Sequence, residues 1–292
     1  MPALIDQVVK NVEGKVFCDA NLPTALAAAK KHAGKEGYVA SMPQLLRGRV
    51  LAPFDNEIWT NGYTANSEEN AGKSPQGNDV YIAVHGGGIL GSPERIKAAY
   101  KEGLTDKYAA KFTDKELQDL LNGNLPDGTK IPVYTFNDLK SGNIPKSLKQ
   151  YAVVMDFEQA KKAVSGQEDF DRLKDDPLVI VRAGGVEEAA AYLNKAKEKH
   201  KTAKYGSRHL FDGIDPSQAQ GRLLFLGNYA YLGLNGNYNL SNLGRFVGVA
   251  PEAREAKKVV APTLEQVLAV SSRHSPEINR AQLTRELSAL YK

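Results

Sequence analysis

Cysteine is nearly absent: Cys18 stands alone among 292 residues. One thiol forms no intramolecular disulfide and supplies no multi-cysteine zinc site, which fits a reducing compartment. Long apolar runs are missing as well, since no stretch approaches the roughly 18 to 20 residues of a membrane span. The opening MPALIDQVVKNVEGK has acidic side chains where a signal peptide needs its apolar segment, and reads as a short amphipathic helix closed near Gly14. A soluble, cytoplasmic protein without a membrane partner is the expectation. Charge of one sign is scarce too. A formal net charge of +4 tolerates an anionic ligand but is far from the polybasic signature of a nucleic-acid binder, so nucleic acid ranks last among candidate partners.

Three catalytic signatures are missing. There is no G-x-S-x-G pentapeptide. The GKS of Gly72 to Ser74 lacks a phosphate loop, because Ser67 stands where the first glycine is required. Gly86, Gly88 and Gly91 match G-x-G-x-x-G in spacing, but the acid some 20 residues on, Asp106, falls in a lysine-rich turn. No spacing points to a metal: Arg208 to Asp212, R-H-L-F-D, followed by Asp215, reads as a surface loop. The cofactor stays unknown.

What is present is an apolar run, Val80 to Val84, that drives into His85, three glycines and then Ser92-Pro93, with helix formers after it. Ser92 is placed to cap that helix and Pro93 to begin it. A similar unit follows later, with LVIVRAGG (Leu178 to Gly185) read as a strand and VEEAAAYLNKAKEKHK as a helix. Thr113 with Glu116 makes a capping box. GYVASM, RVLAPF, YAVVMDF and GRLLFLGN read as further strands. Apolar runs alternating with helical patterns predict an α/β fold with a mostly parallel twisted sheet and helical crossovers, or alternatively a β/α barrel. Around Asn235-Gly236, aromatic and small residues alternate, which predicts a C-terminal antiparallel hairpin region. The predicted layout is therefore an α/β core over 1–220 with a long polar loop at 55–78, and a hairpin plus closing helices over 221–292.

VYIAVHGGGILGSP resembles the oxyanion-hole segment of α/β-hydrolase lipases and esterases of the hormone-sensitive-lipase type. That resemblance implies backbone N–H groups of Gly86, Gly87 and Gly88 turned toward an oxyanion, with His209 or His274 late enough to close a triad. It stops there, because the serine elbow has no counterpart.

If the strands run parallel, their C-terminal ends share one rim. His85 is then the proton shuttle, Asp156 its orienting carboxylate, and Arg182 a clamp for a carboxylate or phosphate, with Asp19 and the three glycines lining the ligand. Two functions follow. The first is a hydrolase-like enzyme acting by hydrolysis or proton transfer on a small anionic or carbonyl-bearing molecule. The second is a non-catalytic binding protein or homo-oligomer whose late Tyr- and Asn-rich segment makes the contact.

Overall fold

The computed structural model describes residues 8–12, 15–208 and 216–251. The chain divides into two compact units, Met1–Pro251 and Glu252–Lys292, and all described residues belong to the first. The closing helices expected after Pro251, together with His209, Asp212, Asp215 and His274, lie outside the described residues.

The strands, in chain order, are β1 (Val16–Asp19), β2 (Tyr38–Val39), β3 (Tyr63–Lys73), β4 (Asp79–His85), β5 (Ala110–Lys111), β6 (Val133–Thr135), β7 (Tyr151–Asp156), β8 (Gly166–Asp169), β9 (Lys204–Arg208), β10 (Gln220–Leu226), β11 (Leu234–Asn235) and β12 (Gly244–Val249). A large sheet has the order β6-β7-β4-β3-β10-β11-β9-β8, with β5 paired to β10 off that path. A small sheet has the order β1-β12-β2. Among the described pairs only β6–β7 and β9–β11 are parallel. The mostly parallel twisted sheet and the barrel are therefore both corrected: the sheets are mixed and chiefly antiparallel.

For β3 and β4 the physical reason is connection length. A parallel crossover needs a dozen or more residues. Several helices here are single turns, such as Glu57–Thr60, Phe157–Ala160 and Phe170–Leu173, and β3 joins β4 through the tight turn 74–78. Alternation of strand and helix is real, but these helices fill corners.

Three local readings also change. RVLAPF does not form a strand; its first residues end the helix Met42–Leu51. Pro177–Ala183 is helical, because the Asp176 carboxylate accepts from Leu178 and Val179 N–H at 2.9 and 3.0 Å and Pro177 occupies the first turn. No hairpin forms at Asn235-Gly236; β11 is two residues long and bridges β10 and β9.

The largest departure is β3. It falls within the polar segment 55–78, yet it is a central strand, flanked by β4 and β10, and buried from Tyr63 to Gly72. Two apolar clusters pack around the sheets, one including Trp59, Tyr81, Tyr192 and Tyr205, the other Leu26, Ile82, Val84 and Phe246. A buried strand reading NSEENAG needs partners for its polar groups. Two of those partners, His85 for Ser67 and Arg182 for Glu69, are residues the sequence nominated for chemistry.

Candidate functional site

The glycine loop after β4 faces inward. Gly86 and Gly87 hold φ of 85° and 104°, which glycine adopts without strain, and a Cβ on Gly86 would stand 2.1 Å from the Lys149 carbonyl oxygen. The loop does present backbone N–H groups to a carboxylate, but that carboxylate belongs to the chain. Glu68 Oε1 accepts from Ile89 N–H at 2.9 Å and from the Asn70 amide at 3.0 Å, while Oε2 accepts from Leu90 N–H at 2.6 Å. Burial pushes the Glu68 carboxyl up to about 7 against the pull of those donors.

His85 is fully buried. Its Nε2 donates to the Val181 carbonyl at 3.0 Å, and its Nδ1 accepts from the Ser67 hydroxyl at 3.0 Å, which in turn accepts from Met42 N–H. Both ring nitrogens are satisfied by the neutral tautomer, and burial lowers the imidazole to about 4, with the Val181 bond and Glu69 pulling the other way. A shuttle needs access to a ligand; this ring has none. Arg182 is likewise interior: its Nε and Nη2 reach Glu69 Oε1 and Oε2 at 2.6 and 3.0 Å, and its Nη1 donates to Ser207 Oγ at 3.0 Å. The fork is consumed by the chain's own carboxylate.

Asp156 stands at the other end of the sheet from His85. In the antiparallel β4–β7 register His85 faces Tyr151, whereas Asp156 faces Val80. Exposed, it caps the following turn by accepting from Glu158 and Gln159 N–H at 2.9 and 3.2 Å. Asp19 sits in the small sheet opposite Gly244 and accepts from Asn21 N–H at 2.7 Å. The shared rim does not exist, because its strands do not point one way. Among the described residues no group of three or more His, Cys, Asp or Glu is placed to hold a metal.

What the fold does present outward is the segment from Gly227 to Leu243, GNYAYLGLNGNYNLSNL. Tyr229 and Tyr231 are 56% and 50% exposed and stack on each other with centroids 5.5 Å apart. Ser241, Asn242 and Leu243 are exposed beside half-buried Asn237, Tyr238 and Asn239. Backbone atoms and buried anchors hold the segment in place. Gly227 N–H donates to the Gly233 carbonyl at 2.9 Å, Gly236 N–H to the Arg208 carbonyl at 2.7 Å, and Leu240 N–H to the Tyr108 carbonyl at 3.2 Å. Arg222 Nη1 donates to the Asn237 carbonyl at 2.8 Å. Leu234 and Leu240 are fully buried. A Cβ on Gly206 would meet the Tyr231 carbonyl oxygen at 2.2 Å, so β9 and the loop approach backbone to backbone. Tyr238 stacks on Phe225 at 4.4 Å and donates to the Leu243 carbonyl at 3.0 Å. The Tyr229, Tyr231, Ser241 and Asn242 side chains take little part in this support.

No family model matches the chain, and no curated protein does. A solved structure of a protein from Nanoarchaeota, in which the C-type lectin fold accommodates massive sequence variation, is 31% identical to it. The match covers 80% of this chain and 96% of that chain, with a TM-score of 0.64. The chain belongs to the C-type lectin-fold family. Membership overturns the hydrolase-like and parallel α/β readings together. No described helix of this C-type lectin-fold protein is long and apolar enough to cross a membrane. The sequence reading placed the late tyrosines on a hairpin; the signal for their exposure was the mixture of Tyr with Asn, Gly and Ser, which suits a surface loop better than a strand.

Proposed function

We propose that this protein is a non-catalytic recognition module that binds a protein partner through the 227–243 surface, centred on Tyr229 and Tyr231. The observation that carries the reading is a stacked, exposed tyrosine pair on a segment whose path is fixed by backbone bonds and buried anchors. Tyrosine gives a large, amphipathic contact at low entropic cost, and Asn, Ser and Gly give adaptable hydrogen bonding; antibody paratopes use the same mixture. Since the exposed side chains contribute little to the loop's support, their identities can change without cost to the fold. The Nanoarchaeota relative accommodates massive sequence variation on this fold, and the same division between fixed support and free side chains extends that capacity here.

A display library randomised at Tyr229, Tyr231, Asn239, Ser241, Asn242 and Leu243 tests the reading. Most members should fold, and binders to unrelated protein targets should be selectable. A library that mostly fails to fold, or that yields no binder to any target, overturns it. Sedimentation velocity of the wild-type protein and of Tyr231→Asp separates the homomeric alternative: a concentration-dependent dimer lost in the variant would assign the surface to a second copy of the chain.

A further inference from the structure

A second concave surface lies in the same unit and shares no lining residue with the 227–243 segment. It is a cavity of about 370 Å³ bounded by the start of the helix Met42–Leu51, the stretch 139–149, and the start of the helix Val186–His200. That volume lies within the range of small-molecule sites. Pro43, Leu139, Ile144, Pro145, Leu148 and Val186 supply apolar wall.

Tyr151 lines this cleft while only 7% exposed. Its ring lies against His85 with centroids 5.1 Å apart, which fixes its direction. Its hydroxyl would stand 3.0 Å from a Cβ on Gly184, itself a lining residue, so it reaches the cleft wall. Among the described residues that hydroxyl has no hydrogen-bond partner. Lining the cleft with no partner from the chain, the phenol is free to donate to a ligand there.

The remaining polar groups favour an acceptor. Gln44 Oε1 is engaged by the Ser41 N–H and hydroxyl, at 2.8 and 3.0 Å, which leaves its NH₂ as a donor. Arg47 Nη2 stands 4.0 Å from Glu188 Oε1, and Lys146 Nζ reaches that same oxygen at 3.1 Å. Four cations, Arg47, Lys140, Lys146 and Lys149, line the cleft against two carboxylates, Glu187 and Glu188. The N-terminal turn of a fifteen-residue helix adds its partial positive charge at the same wall. Excess positive charge, donors with unused capacity and an apolar wall together describe an amphiphilic anion.

We infer that the cleft binds a small organic carboxylate, with its carboxylate held by Arg47 and the Tyr151 hydroxyl and its apolar body against Pro43, Ile144 and Leu148. The site is separate from the recognition surface, and neither reading depends on the other.

Titration of the full chain with benzoate, phenylacetate and 3-phenylpropionate, followed by calorimetry and by amide chemical shifts, tests it. Benzamide and inorganic phosphate are the controls. At least one carboxylate should bind saturably, with shifts concentrated at 41–47, 144–151 and 184–188, and benzamide should bind at least about tenfold more weakly. Tyr151→Phe keeps the ring beside His85, and Arg47→Gln changes a partly exposed side chain. Each should weaken binding about tenfold while keeping the wild-type amide spectrum elsewhere. The Tyr229→Ala/Tyr231→Ala double variant should bind the carboxylate as the wild type does. Absence of saturable binding at millimolar carboxylate, equal binding of benzamide or phosphate, shifts confined to 227–243, or unchanged affinity in both cleft variants would each overturn the inference.

Discussion

Glu68→Gln should change how stability depends on pH, and the size and sign follow from where the carboxylate sits. In the folded protein burial raises Glu68 from 4.5 to about 7. The folded state therefore holds a proton that the unfolded state has released over that interval, and stability falls as pH rises from about 4.5 to 7. The displacement corresponds to about 3 kcal/mol. His85 works in the opposite sense. Its pKa is lowered from 6.5 to about 4, so the unfolded state binds the extra proton and stability is lost as pH falls through that window, again by about 3 kcal/mol. In the wild type the two nearly cancel between about pH 4.5 and 6.5. His200, half-buried and also lowered to about 4, adds a screened contribution with the sign of His85.

Comparing Glu68→Gln with the wild type removes every group but Glu68. Relative to the wild type, the variant should gain about 3 kcal/mol between pH 4.5 and 7.5, and its own stability should climb with pH where the wild type stays flat. Urea unfolding at half-unit pH steps, followed by fluorescence of the single tryptophan, buried Trp59, reads this directly. A difference that does not vary with pH would refute the reasoning. So would one of opposite slope, which would mean that the Ile89, Leu90 and Asn70 donors outweigh desolvation and keep the carboxylate ionised.

Other perturbations have expected outcomes. Arg182→Ala removes the guanidinium that pairs with buried Glu69 and should cost about 3–5 kcal/mol in the same urea assay, whereas Glu69→Leu/Arg182→Met should recover most of that loss. Gly86→Ala forces a side chain into left-handed backbone against the Lys149 carbonyl and should destabilise by at least about 1–3 kcal/mol, with a lowered melting temperature as the readout. Tyr229→Ala and Tyr231→Ala, by contrast, should each shift stability by no more than about 0.5 kcal/mol, because neither side chain supports the loop.

Much of the local structure was legible in the sequence because its signals are local. Ser92 and Pro93 open the helix Pro93–Glu102, and Thr113 with Glu116 forms the capping box of Asp114–Leu121. Val80 to Val84 and the run from Tyr151 onward are strands. Strand direction was not legible, since it depends on which segments pair at long range. Nor was β3: Ser67, Glu68, Glu69 and Asn70 read as surface, and only distant partners at His85, Leu90 and Arg182 make their burial affordable in energy. The residues that suggested catalysis, His85, Gly86 to Gly88 and Arg182, are those partners or flank them, so chemistry was inferred where the chain satisfies itself. Asp176-Pro177 carried a legible helix start, overridden by the apolar run that follows. The segment around the tyrosines at 229 and 231 was not legible as an irregular loop, because Asn235-Gly236 imitates a hairpin turn.

The most direct test of the recognition surface is a transplant. Two library members selected against different proteins would exchange residues 228–243, and binding of each chimera to both targets would be measured by surface plasmon resonance. Affinity for each target should travel with the transplanted segment, to within about threefold, on an unchanged scaffold. Affinity that stays with the scaffold, or vanishes from both folded chimeras, would contradict a binding site formed by that surface.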